Sequence, residues 1–411
     1  MSQDKGAPFS GYQKIVVAAL AGILFTVVVD YMTLSALSAI LLPELQLSTG
    51  KFGWIVSAYA FSAGISGFLA TSFADSFDRK KLLLFYYGGF LLGMLLCAVA
   101  NSFIALLLAR MLSGMFGGVV AAICYATVAD LFTKDQRGRV MGYLQLAFAM
   151  GLVAGLPLAL FLANKVDWHL PYLVIFLLGL ILLLTVSTYL RPVDEQGRTK
   201  RTPPSSQHSL TVITNSKYWP LFANNIFLVL GDVMFMTFGS AYLTNNLGVK
   251  VDKLPLIFGL GGLATIIFSP IIGRATDRYG KWRVFGVATL LTMVAVGIFS
   301  QLGSVTLWVI ITVHTLLFVG ISARMITATA MTTMVPESED RGAFMALDAA
   351  LQQLAGGIAA VAVGWIVYQT ADGIVRRYPL LGGVVIGVMA LTLWLMKKVH
   401  TMVRGQSSSA E

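Results

Sequence analysis

The sequence predicts an all-α integral membrane protein with twelve transmembrane helices, arranged as two six-helix bundles that repeat one another in parallel. Three observations lead there. Of the 411 residues, 57% are hydrophobic and 12% charged, and the mean hydropathy is +0.79; this is more apolar sequence than a soluble core can hide. Twelve apolar runs of roughly 18–25 residues are each long enough to cross about 30 Å of hydrocarbon as a helix. The two halves are also copies. An offset of 202 superposes Phe25 on Phe227, Asp30 on Asp232, Ala74 on Thr276, Asp75 on Asp277 and Arg79 on Lys281. After two residues of slippage, Arg137-Gly138 falls on Arg341-Gly342, Met141 on Met345 and Arg110 on His314.

Span 1 covers 14–42. It follows the polar segment MSQDKGAPFSGYQK and runs on to Pro43 without a small-residue cleavage pattern, which argues against a removable signal peptide. Asp30, in FTVVVDYMTL, places a carboxylate at bilayer depth. Such a group is costly there and is usually kept where it lines a water-filled path or binds a cation. Span 2 (52–72) leads into the loop ATSFADSFDRKKL. Spans 3 (82–100) and 4 (103–128) hold the chain's only two cysteines, Cys97 and Cys124. Both lie within apolar runs and read as small packing residues, so neither a disulfide framework nor a metal site is expected. Span 4 also carries Arg110. Span 5 (140–164) is rich in glycine, which lets membrane helices approach closely, and span 6 (170–190) completes the first bundle.

The polar stretch from Arg191 to Pro220 is too charged and too rich in Pro and Ser to cross a bilayer, and reads as a flexible linker. The expected division is therefore an N-terminal bundle over 1–190, a linker over 191–218 and a C-terminal bundle with its tail over 219–411. Span 7 (219–245) repeats the buried carboxylate as Asp232 in FLVLGDVMFM. Spans 8 (254–273) and 9 (284–303) flank the loop GRATDRYGKWRV, and span 10 (305–334) contains His314 and Arg324. Span 11 (343–369) has Asp348 near its beginning, where it is expected to cap the helix or pair locally. Span 12 (380–397) ends the bundle.

Basic residues predict the orientation, because loops rich in Lys and Arg stay in the cytoplasm. Of 29 Lys and Arg, six fall on the loops expected outside (Lys51, Lys165, Lys250, Lys253, Arg376 and Arg377), and Arg110 and Arg324 lie within spans. All the others share a side with the termini, so both termini are expected in the cytoplasm. This topology accounts for the net charge of +10 without any nucleic-acid partner.

The loop GRATDRYGKWRV resembles the loop signature of the major facilitator superfamily, with Gly273, Asp277, Arg278, Gly280 and Lys281 in register. In the first copy Asp75, Arg79, Lys80 and Lys81 fit, whereas Thr71, Ser76 and Asp78 replace the expected Gly, basic residue and Gly. Glycine permits a sharp turn, and Asp can cap a helix or pair with Arg across the bundle, so these loops read as gate latches. Span 4 resembles the family's Arg-x-x-x-Gly signature at Arg110, Gly114, Gly117 and Gly118. Span 5, with Gly142, Gly151, Gly155 and Pro157, is similar to the glycine motif of the drug:proton antiporters, although Leu156 separates a Gly and Pro that are usually adjacent.

The resemblance implies that spans 1, 4, 7 and 10 line a central cavity, and each of them carries an ionisable residue: Asp30, Arg110, Asp232, and His314 with Arg324. Asp30 and Arg110 differ by roughly 9 Å in depth, at about 1.5 Å per residue. Each aspartate is open to two readings, proton or cation exchange on one side and structural pairing with arginine on the other. Arg324 can snorkel or pair with Asp232, and His314 can face the cavity or pack. Tyr31, Tyr59, Tyr125 and Phe235 can form an apolar binding wall or core. No phosphate-binding Gly-rich loop followed by Lys-Ser or Lys-Thr occurs, and no zinc-protease or serine-esterase motif, so ATP drive and enzymatic activity are not expected, nor is a cofactor. The expectation is a monomeric, proton-coupled transporter of the bacterial inner membrane, most simply an exporter of small apolar or cationic compounds. The alternatives are an importer of an anionic metabolite or lipid and, from another class, a non-transporting membrane sensor.

Overall fold

The computed structural model describes residues 9–73, 77–191, 211–337 and 339–408. Twelve helices among them are long and apolar enough to cross a membrane. In the first half they are Gly11–Ala36 continued by Ser38–Glu44, then Thr49–Phe73, Arg79–Cys97, Phe103–Leu131, Lys134–Met150 continued by Leu156–Lys165, and Leu170–Tyr189. In the second half they are Trp219–Met236 continued by Gly239–Asn245, then Leu254–Tyr279, Lys281–Ser300, Leu307–Thr332, Arg341–Ile366 and Tyr378–Ser408. Span 11 stops at Ile366, short of the boundary expected from hydropathy. Tyr368–Gln369 instead pairs with Val375–Arg376 in a small antiparallel hairpin, whose turn uses Gly373 at φ 82°.

Polar residues at the ends of the apolar runs set the helix starts. Ser10 and Gln13 form a reciprocal capping box on span 1, with bonds of 3.2 and 3.0 Å. The Asp78 carboxylate accepts from the Lys81 amide at 3.0 Å and caps span 3, and Ser102 does the same for span 4 through Ala105 at 3.3 Å. Pro171, Pro220 and Pro255 occupy first turns, where their missing N–H costs no hydrogen bond.

Spans 1 and 7 are both interrupted at repeat-equivalent points, and the short helices beyond the interruptions meet. Ser38 Oγ and Ser240 Oγ lie 2.7 Å apart, and each hydroxyl also accepts an amide from the opposite helix, from Ala39 at 3.3 Å and Ala241 at 3.4 Å. Ser38 and Ser240 are separated by 202 positions, so the repeat offset puts equivalent residues face to face about a pseudo-twofold axis, as in an isologous interface.

The bundles join most closely at this end, opposite the chain termini. Span 2 lies along span 11, and Thr49 Oγ1 donates to the carbonyls of Val367 and Gly364 at 2.9 and 3.1 Å. A Cβ on Gly364 would sit 2.8 Å from the Thr49 carbonyl oxygen, and one on Gly262 of span 8 would sit 3.0 Å from the Leu152 carbonyl of span 5. Glycine is what permits backbones this close. Five hydrogen bonds cross the bundle interface at this far end. Leu184, Ile181, Leu291, Trp308 and Trp365 project outward, as a surface in hydrocarbon requires.

Candidate functional site

Each bundle buries one carboxylate against one guanidinium. In the first, Arg110 of span 4 donates through Nη1 to Asp30 Oδ1 of span 1, and both side chains are sealed from solvent. The guanidinium also lies over the Tyr59 ring of span 2, 4.6 Å from its centroid, a cation–π contact strengthened by desolvation. Tyr31 joins Tyr59 at a ring separation of 5.7 Å. In the second bundle, Arg324 of span 10 donates to Asp232 Oδ1 of span 7 at 2.7 Å, and its other terminal nitrogen approaches Thr392 of span 12 at 3.4 Å. Unpaired, any of these charges would be very expensive at this depth.

The two pairs are not images of one another. Asp30 and Asp232 are repeat-equivalent, but the residue equivalent to Arg110 is His314, and Arg324 lies ten residues further along span 10, about 15 Å along the helix. Arg110 therefore reaches its aspartate from the far side of the bundle and Arg324 from the terminal side. His314 stands apart from both pairs. It is buried among Phe258, Phe318 and Phe299, with ring centroids at 5.0, 4.7 and 6.1 Å, and its Nδ1 has no hydrogen-bond partner among the described residues.

Both ion pairs are single hydrogen bonds. Asp30 Oδ2 and Asp232 Oδ2 are buried and lack a partner among the described residues, as do Nε of Arg110 and Nε of Arg324. An ionised carboxylate accepts only, so each unpartnered oxygen is a place where a proton can be added. Adding it would cancel the charge that holds the arginine.

The glycine motif of span 5 serves the first pair. The helix opens into a π-helical turn at Gly151–Gly155, a widening often found at functional positions. A Cβ on Gly151 would come within 2.9 Å of Val28, and one on Gly155 would run into Val29 and lie 3.2 Å from Phe25. The turn thus packs on the stretch of span 1 that ends at Asp30. Pro157, just beyond it, faces Gly259 of span 8 at 3.4 Å from the Cβ position, so the same segment touches the other bundle.

The structure distributes the remaining candidates. Tyr31 is half-buried and its hydroxyl lies 3.7 Å from the Cβ position of Gly356 in span 11, so it sits between the bundles. Tyr125 is half-buried against the first bundle's core. Phe235 is core, in ring contact with Phe299 and Tyr378, and its carbonyl accepts the Tyr378 hydroxyl at 3.0 Å. At the terminal end Arg79 pairs with Asp130 at 2.9 Å, a partner that an acidic residue closing span 4 could have signalled. Asp75 lies outside the described residues. Gly273, Asp277 and Arg278 belong to the last turns of span 8, Gly280 makes the turn at φ 89°, and Lys281 opens span 9. Asp277 is exposed and has no hydrogen-bond or ion-pair partner among the described residues.

The Asn224-Asn225 pair in span 7 and Gln352 in span 11 carry no motif, yet they meet in the membrane around Asp348. Asn225 Nδ2 and Gln352 Nε2 both donate to Asp348 Oδ2, at 2.9 and 2.8 Å, and Asn224 Nδ2 donates to Asn225 Oδ1 at 3.2 Å. Two adjacent amides inside an apolar run were the available signal.

Comparison with known proteins agrees with this architecture. A family model described as Major Facilitator Superfamily matches residues 19–224 and 221–410. The chain is 26% identical over 272 residues to an uncharacterized MFS-type transporter of Bacillus subtilis, YceJ, covering 66% of this chain and 68% of that one. It is 25% identical over 280 residues to the class H tetracycline resistance protein of Pasteurella multocida, covering 65% of this chain and 67% of the relative. In four matched Bacillus subtilis relatives the aligned stretch spans 68, 58, 36 and 59% of the relative's own length. Among solved structures, a bacterial homologue of the human lysosomal transporter Spinster, in an inward-facing and unoccupied conformation, superposes with a TM-score of 0.73 at 14% identity, over 96% of this chain and 97% of the other.

Proposed function

The chain belongs to the Major Facilitator Superfamily and is a multi-pass membrane transporter, not an enzyme; from that premise we propose that it exports small apolar or cationic compounds in exchange for protons. The observation that carries the reading is the pair of buried single-bonded ion pairs, Asp30–Arg110 and Asp232–Arg324, one per bundle. A buried carboxylate that trades an arginine for a proton changes both charge and packing, and a bistable bundle can convert that into a change of state. One elementary charge crossing 100 mV is worth about 2.3 kcal/mol, enough to bias such an equilibrium by more than an order of magnitude. Taken with the cytoplasmic termini expected from the basic-residue asymmetry, the hydrogen bonds at the far end support an inward-facing arrangement. The likeness to a tetracycline resistance protein supports export. An anion importer on this scaffold would need a guanidinium to offer, and both are engaged by aspartate.

The test is proton movement and solute uptake in proteoliposomes and inverted membrane vesicles of a bacterial host, with a panel of cationic, neutral and anionic compounds. Solute uptake into inverted vesicles that collapses on dissipating the proton gradient is the expected result. Uptake of anions alone, or uptake indifferent to the gradient, would sink the reading.

A further inference from the structure

Asp30, Arg110, Asp232 and Arg324 form two buried ion pairs. Asp348 is held differently. It lies on the second turn of span 11, and its partners are the neutral amides of Asn225 and Gln352. Its other oxygen, Oδ1, is buried and has no partner among the described residues, and the same holds for Oδ1 of the neighbouring, fully buried Asn224. No Lys, Arg or His among the described residues forms an ion pair with Asp348. The charged pair on the same helix wall, Asp232 with Arg324, is two turns further along span 7, and there the carboxylate has a guanidinium for counter-charge.

The position of Asp348 matters as much as its lack of a counter-charge. Asp348, Gln352 and Gly356 are spaced by four residues and share one face of span 11. At the deep end of that face, the Cβ position of Gly356 is 3.7 Å from the Tyr31 hydroxyl and 3.8 Å from both Val229 and Val233. Tyr31 in turn lies in tilted ring contact with Tyr59, which covers Arg110. A polar-to-aromatic track therefore begins at Asp348, near the terminal end of span 11, and ends at the first ion pair. Asp348 itself is half-buried. Its two donors hold Oδ2 in place and leave the buried Oδ1 without a partner among the described residues.

We propose that Asp348, positioned by Asn225 and Gln352, is the entry site for the positively charged group of a transported organic cation. The site deepens the export reading by assigning its cationic substrates an anchor distinct from the two ion pairs, and it rests on that reading. A carboxylate already bonded to arginine has little left to offer a cation, whereas one held by amides keeps its charge for the ligand. The aromatic rings of Tyr31 and Tyr59 then receive the apolar or cationic body further in.

The experiment measures binding and transport with two probes, ethidium as the cation and chloramphenicol as the uncharged compound, on purified full-length protein and on inverted vesicles. Asp348→Asn is expected to weaken ethidium binding and uptake by at least about tenfold, the loss of one charge-assisted contact, with chloramphenicol uptake unchanged. Asp348→Glu is expected to restore much of the ethidium signal, which a purely structural defect would not allow. Equal ethidium binding by wild type and Asp348→Asn would overturn the site while leaving export intact. Equal loss of both probes, without rescue by Glu, would assign Asp348 to folding or to general transport and also overturn it. Gradient-driven chloramphenicol uptake by the wild type, with no ethidium binding at all, would reject the cation site and keep the exporter. Absence of gradient-driven uptake of either probe, together with clear ethidium binding lost in Asp348→Asn, would uphold the site and reject the exporter.

Discussion

At the scale of single residues, the chemistry of this protein lies in carboxylates taken out of water. Asp30→Asn keeps shape and one acceptor oxygen but cannot titrate, so it should abolish proton-coupled uptake in inverted vesicles while the protein still purifies as a folded species. Undiminished gradient-driven uptake would remove Asp30 from the coupling machinery. Arg110→Ala breaks the pair from the other side, leaving a buried carboxylate without its counter-charge where Asp30→Asn leaves a buried guanidinium, and breaking such a pair costs about 3–5 kcal/mol of stability when the remaining charge is retained. Asp30→Asn added to Arg110→Ala should therefore cost less than the two single losses together, by about 1 kcal/mol or more. Thermal denaturation of the four proteins measures this, and strictly additive losses would mean that the pair is not an energetic unit. Tyr59, over the guanidinium at 4.6 Å, is the aromatic lid of the same unit.

At the scale of elements, the π-helical turn of span 5 is the segment through which the first ion pair and the second bundle meet. It leans on Val28, Val29 and Phe25 on one side and on span 8 on the other. Gly155→Val would drive a branched side chain into that contact, and overpacking of this kind typically costs about 1–3 kcal/mol. The expected outcome is a lower melting temperature and slower transport, whereas Gly142→Val, where a Cβ meets nothing within 4 Å, should leave both near wild type. Equal behaviour of the two variants would show that the turn is not a packing constraint. The sequence marked these glycines as a motif; the backbone widening at Gly151–Gly155 depends on the neighbouring helices and is not written in the glycines themselves.

At the scale of the whole molecule, the symmetric contact of Ser38 with Ser240 is a natural handle on the closed end. Their hydroxyls are 2.7 Å apart, close to the reach of a disulfide. A Ser38→Cys, Ser240→Cys protein should crosslink under oxidation, stop transporting, and recover on reduction, because opening the far end requires these helices to separate. Full transport by a protein shown to be crosslinked would mean that this end does not open. The loop proposed as a latch lies at the opposite end. Asp277 is exposed and unpartnered among the described residues in this arrangement, so its charge should act in another state of the cycle. Asp277→Ala is expected to slow turnover several-fold with substrate affinity little changed, and poor binding with normal turnover would refute the latch.

Apolar run length, basic-residue asymmetry and the 202-residue repeat are local or one-dimensional signals, and by themselves they determined the membrane class, the twelve spans, the duplication and the placement of an ionisable group on spans 1, 4, 7 and 10. They did not single out Ser38 and Ser240, which the repeat offset relates but which only the packed bundles bring together. What they could not decide is how each helix is rotated about its own axis and which neighbour it faces. That rotation gave Asp232 the arginine ten residues beyond its repeat-equivalent position, enclosed His314 in phenylalanine, placed Phe235 in the core, and left Asp348 among amides with no ion-pair partner among the described residues. Hydropathy averages over a helix circumference, and side-chain pairing depends on a single face of it; only the packed bundle specifies that face.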